Sequence, residues 1–221
     1  MHMRHIIEKV DHTLLKPVAT WEDIKKICDE AKEMKVASVC IPPYYVKQAS
    51  DYLKNDIPVC TVIGFPLGYN TTKIKIEEAK DAIENGAKEI DMVINIGDAK
   101  AGLFDKIEEE IRQIKNAIGS NILKVIIETC YLTEDEKIAL CKAVSNAKAD
   151  FIKTSTGFGT NGATLEDIKL MKENVDKNVA IKAAGGVKTI EDAENFIKEG
   201  ATRLGTSSIC QVLKNQKVTG Y

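Results

Sequence analysis

The chain has 221 residues, of which 44% are hydrophobic and 29% are charged, and its formal net charge is −2 at pH 7. This composition is typical of a globular protein and gives no electrostatic reason to expect binding to nucleic acid or to an anionic membrane. No apolar run approaches the ~18 residues of a membrane helix, and the first residues lack the apolar segment of a signal peptide. The six cysteines form no CxxC pair, so we interpret them as reduced core thiols of a cytoplasmic protein.

Short strand-like runs alternate with amphipathic helical stretches along the whole chain. Strands are predicted at residues 11–15, 36–41, 59–64, 89–95, 123–128, 150–154, 179–183 and 202–205. Helical patterns between them cover residues 20–34, 73–87, 103–118, 133–144 and 189–201. Four helix starts resemble a capping box, with a threonine followed three residues later by an acid: Thr20/Asp23, Thr133/Glu136, Thr164/Asp167 and Thr189/Asp192.

This alternation without a linker predicts a parallel sheet with helices outside it. Eight strands spaced by roughly 25 residues match a (β/α)₈ barrel, which we predict as a single domain over residues 1–221. The alternative is a doubly wound open sheet, whose phosphate loop would carry GxGxxG after the first strand. No such loop follows that strand, so the barrel is the preferred fold.

Polar side chains occupy inward positions at the C-terminal ends of three predicted strands. Because side chains alternate along a strand, EIDMVIN directs Asp91 into the barrel, while DFIKT and VAIKA direct Lys153 and Lys182 there. A single lysine at such a place is often a rim residue with its ammonium in solvent. Three residues of the same parity at the same end, where barrels carry their chemistry, instead predict one site.

Two neighbouring lysines and an aspartate suit covalent chemistry on a carbonyl. A free lysine has a pKa of about 10.4, whereas nucleophilic attack needs the neutral amine. A second ammonium about 4–5 Å away would lower that pKa by ~3 units, or about 4 kcal/mol at an effective dielectric of ~20. Burial acts in the same direction, and the aspartate can carry protons. The pattern predicts metal-free, imine-based aldolase chemistry but leaves open which lysine forms the imine.

Glycine-rich turns follow the last three predicted strands, in TSTGFG, AAGGV and RLGTSS. Loops in these places, together with a helix N-terminus, commonly bind phosphate in barrels. No metal site is predicted, since His2, His5 and His12 lack ligand spacing. No GxSxG elbow occurs, and Cys40, although inward, has no histidine partner to make it a nucleophile.

Taken together, DHTLL, SVCIPP, EIDMVINIG, FIKTSTGF, IKAAGGV and RLGTSS resemble the deoxyribose-phosphate aldolase family over nearly the whole chain. The resemblance implies a (β/α)₈ barrel that needs no cofactor and forms a homo-oligomer, either a dimer or a tetramer. It also implies reversible cleavage of 2-deoxy-D-ribose 5-phosphate to D-glyceraldehyde 3-phosphate and acetaldehyde. Two alternatives remain: another Schiff-base barrel enzyme such as a transaldolase, and a non-catalytic barrel that binds phosphosugars.

The resemblance also implies roles for individual residues. Lys153 would form the Schiff base, Lys182 would lower the pKa of Lys153, and Asp91 would donate and accept protons. The terminal residue, Tyr221, matches a tyrosine implicated in proton transfer in some members, although a frayed chain end is the plain alternative.

Substrate contacts follow from the same resemblance. The residues expected around the phosphate are Gly157, Gly186, Ser207 and Ser208. Thr13 and Cys40 would lie near the other end of the substrate. Some members have a lysine directly after TSTG, where this chain has Phe158, so backbone N–H groups and serine hydroxyls would bind the phosphate here.

Overall fold

The computed structural model describes residues 2–214, and its eight strands close into one parallel barrel. The strands are β1 (Val10–Thr13), β2 (Ser38–Ile41), β3 (Val59–Ile63), β4 (Glu89–Val93), β5 (Ile122–Ile126), β6 (Phe151–Lys153), β7 (Ala180–Ala184) and β8 (Arg203–Thr206). Each strand pairs with the next along the chain, and β8 pairs with β1. The predicted (β/α)₈ barrel is therefore confirmed, because an open doubly wound sheet has no such closing pair.

Helices surround the barrel and connect its strands. They are α1 (His2–Ile7), α2 (Trp21–Met34), α3 (Val46–Leu53), α4 (Thr72–Glu84), α5 (Ile96–Lys100), α6 (Phe104–Ile118), α7 (Glu134–Asn146), α8 (Leu165–Asn174), α9 (Ile190–Glu199) and α10 (Ser208–Leu213). Helices α1, α3, α5, α8 and α10 lie outside the predicted helical patterns, although the pair Thr164/Asp167 marked the start of α8. All of these except α8 have eight residues or fewer, which is too short for a helical period to stand out in the sequence.

Threonine caps fix the starts of the helices that follow β1, β5, β6 and β7. Three of the four predicted capping boxes are complete. In the fourth, Thr164 accepts a hydrogen bond from the backbone N–H of Asp167, while the Asp167 carboxylate binds Lys137 at 2.6 Å instead of the cap backbone. Since each helix follows the C-terminal end of a strand, these caps also hold the loops that ring that face of the barrel.

The main apolar core lies between the strands and the helices, where outward strand residues pack against the inner faces of the helices. A separate apolar cluster within the barrel is small and consists of Leu15, Cys40, Cys60 and Val62. Much of the remaining interior is charged, which is unusual for a barrel and leaves room for polar chemistry. Among residues 2–214, no helix is long and apolar enough to cross a bilayer.

Candidate active site

Asp91 lies in the barrel interior on β4 and binds three lysines. Its Oδ2 atom accepts hydrogen bonds from the Nζ atoms of Lys153 and Lys182, each at 2.7 Å. Its Oδ1 atom accepts one from Nζ of Lys124 at 2.8 Å. Because the Nζ atoms of Lys153 and Lys182 each lie 2.7 Å from the same oxygen atom, the two nitrogens are at most twice that distance apart. The structure brings together the three residues that strand alternation assigned to one interior layer.

The register of the strands explains this arrangement. Lys153 on β6 pairs directly with Lys182 on β7, and Asp91 on β4 pairs with Lys124 on β5. Paired positions on neighbouring strands direct their side chains to the same face of the sheet. Lys153 keeps an exposed fraction of 2%, whereas the other three have none. Lys153 is therefore the one member of this group of four that retains any exposed surface.

A second charged layer, which the sequence analysis missed, lies nearer the N-terminal ends of the strands. Asp11 places Oδ2 at 2.5 Å from Nζ of Lys182 and Oδ1 at 2.6 Å from Nη1 of Arg203. Glu89 lies 2.6 Å from Nζ of Lys124 and 2.9 Å from the same guanidinium. The signal was present in the sequence, because Asp11 and Lys124 are charged residues at inward positions of predicted strands.

These contacts set the charge states of the buried groups. Burial alone would raise the pKa of Asp91, but the ammonium groups of Lys124, Lys153 and Lys182 hold that pKa well below its ordinary value. Burial alone would lower the pKa of Lys182, but the carboxylates of Asp11 and Asp91 raise it instead. Asp91 is therefore a carboxylate and Lys182 a cation at neutral pH. A fixed positive charge stands beside Lys153.

The buried carboxylates are expected to make the stability of the fold depend on pH in the acid range. Although burial raises the pKa of both Asp11 and Asp91, the neighbouring cations lower it below the ordinary value. A lowered carboxyl pKa stabilises the fold above the ordinary value of about 3.9, and this stabilisation is lost as the pH falls through the lowered pKa. The unfolded chain then binds more protons than the folded one.

Urea titrations should therefore give a free energy of unfolding that falls steadily below about pH 4. The variant Asp51→Asn, which removes the exposed partner of Lys47, should leave that dependence unaltered. A constant free energy of unfolding down to about pH 3 would contradict the expectation.

Residues expected to contact a phosphate lie on the loops after β6, β7 and β8, which are neighbouring strands. Gly157 and Gly186 have positive φ angles of 88° and 84°, a conformation that favours glycine, and both are exposed. Ser207 and Ser208 stand at the start of α10 and are buried. The Oγ atom of Ser207 has no hydrogen-bond partner within the part of the chain that the structure describes.

Thr13 and Cys40 are both inward residues near the C-terminal ends of β1 and β2. The Thr13 hydroxyl donates a hydrogen bond to the backbone carbonyl of Asp11 at 2.8 Å. Thr13 and Ser207 line one cavity of about 280 Å³, but most of its other lining residues lie on or next to β1 and α2, and Asp91, Lys153 and Lys182 are not among them. Cys40 is fully buried and pairs in register with Cys60 on β3.

The rim next to these loops is aromatic at Phe158. Phe158 is 44% exposed, and its ring meets that of Phe65 edge to face with the centroids 5.4 Å apart. This pair places apolar surface beside Gly157. Tyr221, the remaining predicted residue, lies outside the described residues.

Glu128 is a further residue of this face that the sequence analysis missed. It is the second residue after the end of β5, has a left-handed backbone with φ of 54°, and is buried. Its carboxylate accepts hydrogen bonds from the backbone N–H of Thr156, at 3.1 Å, and from the Thr156 hydroxyl. Burial raises the pKa of Glu128, and the hydrogen bonds from Thr156 oppose that rise. Glu128 therefore anchors the loop that carries Gly157.

Comparisons with known proteins agree with this geometry. Residues 5–209 match the model of the DeoC/LacD family of aldolases. The chain is 68% identical over 219 residues to the deoxyribose-phosphate aldolase of Clostridioides difficile (strain 630), covering 99% of this chain and 100% of that protein. It is 60% identical to the deoxyribose-phosphate aldolase of Clostridium botulinum (strain Alaska E43 / Type E3), with all of both chains covered.

Solved structures lead to the same family. The aldolase QR15 superposes with a TM-score of 0.90 at 39% identity, covering 95% of this chain and 96% of that one. The deoxyribose phosphate aldolase of Aeropyrum pernix, described as a tetramer, superposes with a TM-score of 0.87 at 28% identity, covering 96% of this chain and 91% of that one. The barrel, the lysines around Asp91 and these matches together show that the chain belongs to the DeoC/LacD family of aldolases.

Proposed function

We propose that this chain is a class I aldolase that reversibly cleaves 2-deoxy-D-ribose 5-phosphate to D-glyceraldehyde 3-phosphate and acetaldehyde. The observation that carries the proposal is the single Oδ2 atom of Asp91 that binds both Lys153 and Lys182 inside the barrel. The names of the relatives that match the full chain support this substrate. In this proposal Lys153 is the nucleophile, Lys182 the neighbouring cation and Asp91 the proton carrier.

The first stage is formation of the imine. Nζ of Lys153, as the neutral amine, bonds to C1 of the open-chain sugar, and the carbonyl oxygen takes a proton from solvent. Loss of that oxygen as water leaves a protonated imine. Asp91, 2.7 Å from Lys153, takes the proton that the amine releases and returns it to the departing hydroxyl. Once Lys153 is neutral, one of the charges that lower the pKa of Asp91 is gone, so the carboxylate becomes a better base.

The second stage breaks the bond between C2 and C3. The C3 hydroxyl loses its proton to the carboxylate of Asp91, its electrons form the aldehyde of glyceraldehyde 3-phosphate, and the bonding pair moves into an enamine on Lys153. Protonation of C2 followed by addition of water releases acetaldehyde and restores the amine. Tyr221 is the candidate donor of the proton to C2, on the strength of the family resemblance.

The phosphate of the substrate is proposed to bind across the loops after β6, β7 and β8. The proposed contacts are Gly157, Gly186, Ser207 and Ser208. The unpartnered hydroxyl of Ser207 supports this placement. Thr13 and Cys40 are proposed to line the wall of the chamber next to the sugar.

The experiment that tests the function is an assay of acetaldehyde release from 2-deoxyribose 5-phosphate by the purified chain. Ribose 5-phosphate, which carries a 2-hydroxyl, and fructose 6-phosphate, a transaldolase donor, serve as comparison substrates. Turnover of the deoxy sugar alone is expected. Preferred turnover of fructose 6-phosphate would favour a transaldolase, and binding of phosphosugars without any turnover would favour the non-catalytic barrel.

Glu128 is expected to act on substrate binding by positioning the phosphate loop. Glu128→Gly removes the carboxylate and suits the left-handed backbone, so the fold should persist while Thr156 loses its anchor. Loss of a charge-assisted hydrogen bond is worth about 1.5–3 kcal/mol, so KM should rise on the order of tenfold or more while kcat changes little. Steady-state kinetics measure the changes in KM and kcat separately. Glu128→Gln serves as the conservative control. A fall in kcat at constant KM would contradict a positioning role.

We further propose that the protein works in the cytoplasm as a homo-oligomer. The six free thiols of the structure suit a reducing compartment. The tetramer described for the Aeropyrum pernix relative supports an assembly of identical chains, whose size light scattering on the purified protein would measure.

A further inference from the structure

Two cysteines lie side by side in the wall of the chamber, and the reaction proposed above uses neither thiol. Cys40 on β2 and Cys60 on β3 are paired in register, inward and fully buried. Sγ of Cys60 donates a hydrogen bond to Oδ1 of Asp91 at 3.2 Å. The two sulfur atoms and a carboxylate oxygen of Asp91 all lie within 4.8 Å of one another. Two soft donors and one hard donor therefore converge on one point of the barrel interior.

This spacing suits a tetrahedral thiophilic ion. Zinc binds thiolate sulfur at about 2.3 Å and carboxylate oxygen at about 2.0–2.2 Å. Tetrahedral angles then place two sulfur ligands roughly 3.8 Å apart, and a sulfur and an oxygen roughly 3.5 Å apart. The observed separation of 3.2 Å between Cys60 and Asp91 is close to the second value, and all three donor atoms already lie within 4.8 Å of one another. Thiolate ligands also select ions such as Zn²⁺ and Cd²⁺ over Mg²⁺ or Ca²⁺.

The charge balance of the interior permits the ion despite the nearby lysines. A divalent ion that replaces two thiol protons leaves the net charge of the chamber unchanged. The ammonium of Lys124 lies 3.2 Å from Sγ of Cys60, where it stabilises a thiolate.

We propose that Cys40, Cys60 and Asp91 form a binding site for a thiophilic divalent ion, represented by Zn²⁺, and that its occupancy reversibly inhibits the enzyme. The inhibition, though not the binding, rests on the proposed function. An ion bound to Asp91 draws its carboxylate away from Lys153 and Lys182 and removes the proton carrier. The ion also places positive charge beside the carbon that becomes part of the protonated imine. Both effects oppose formation of the imine.

The binding test uses Cd²⁺ as a spectroscopic probe of the full chain, after reduction, treatment with a chelator and removal of both reagents. Titration should produce an ultraviolet thiolate-to-cadmium charge-transfer band that saturates at one ion per chain. Cys60→Ala and Cys40→Ala should each weaken binding on the order of 100-fold or more, because each removes one of three protein ligands. Cys141→Ala, which removes a buried thiol on α7, and Cys130→Ala should keep the band.

Inhibition is tested on the same preparations by adding Zn²⁺ to the assay of acetaldehyde release. Zn²⁺ should inhibit the metal-free enzyme, and EDTA should restore its rate. For each Cys40 or Cys60 variant, rates are expressed relative to that variant's own metal-free rate. On this scale, the Zn²⁺ concentration that halves the rate should be higher for each variant than for the parent chain. The proposal is overturned if the parent chain shows no band, if the band survives both substitutions, or if saturating Zn²⁺ leaves the rate unchanged. Absence of aldolase activity before any metal is added would instead refute the proposed function, while the cadmium titration would still decide the site.

Discussion

Lys153→Ala is expected to lower the rate of 2-deoxyribose 5-phosphate cleavage by ~10⁴-fold or more, because alanine cannot form the imine that accepts the electrons of the broken bond. The loss should appear in kcat, since the phosphate loops remain to bind the sugar. The fold should persist, because Asp91 keeps hydrogen bonds from Lys124 and Lys182 when Lys153 is removed. Steady-state kinetics and thermal melting measure the two effects.

Chemical trapping gives a direct test of the same assignment. In the parent chain, borohydride added with acetaldehyde should reduce the imine to a stable ethylamine, which peptide mapping should locate on Lys153. Lys182 and Lys124 serve as internal controls, since both are buried and both bind Asp91. An ethyl group found on Lys182 would reverse the two lysine roles. Full activity of Lys153→Ala would refute Schiff-base chemistry at this residue.

The second large effect is expected from Lys182→Met, which removes the fixed charge beside Lys153 at nearly constant volume. A unit charge about 5 Å away contributes roughly 3 kcal/mol at an effective dielectric of ~20, equivalent to about two pH units. Its removal takes away the neighbouring positive charge through which the proposed mechanism activates Lys153. The rate at pH 7 should fall on the order of 100-fold, and the rising limb of the pH–rate profile should move to higher pH.

Matched variants separate this effect from general damage to the ion network. Lys124→Met also removes a buried lysine bound to Asp91, but from the other carboxylate oxygen, so its pH–rate profile should move less. Lys182→Arg retains the charge and should keep the profile near that of the parent chain, even if its maximal rate is lower. Lys124→Met and Lys182→Met each remove an ammonium group that pairs with buried carboxylates, which is expected to destabilise the fold. The stability of each variant is therefore measured by thermal melting. An unmoved profile in Lys182→Met would show that burial rather than this charge controls Lys153.

Local signals in the sequence account for much of the fold. The strand containing Lys153 was placed within one residue at each end, and the predicted capping boxes at Thr20, Thr133 and Thr189 are complete. These features depend on side-chain alternation, helical period and contacts three residues apart, all of which a short stretch of sequence contains. Helix α3, which has eight residues, was missed because so short a segment carries little periodicity.

The sequence by itself determined the barrel class, the inward parity of Asp91, Lys153 and Lys182, and, through its resemblance to an aldolase family, the chemistry proposed for them. Only the tertiary structure decided which groups touch. Closure of the sheet places Asp11 of β1 against Lys182 of β7, and pairing of β2 with β3 sets Cys40 beside Cys60. Such contacts join residues that are far apart in the chain, and no local pattern encodes the distance between them. The physical reason is that strand order and stagger set those distances, and both are properties of the closed barrel as a whole.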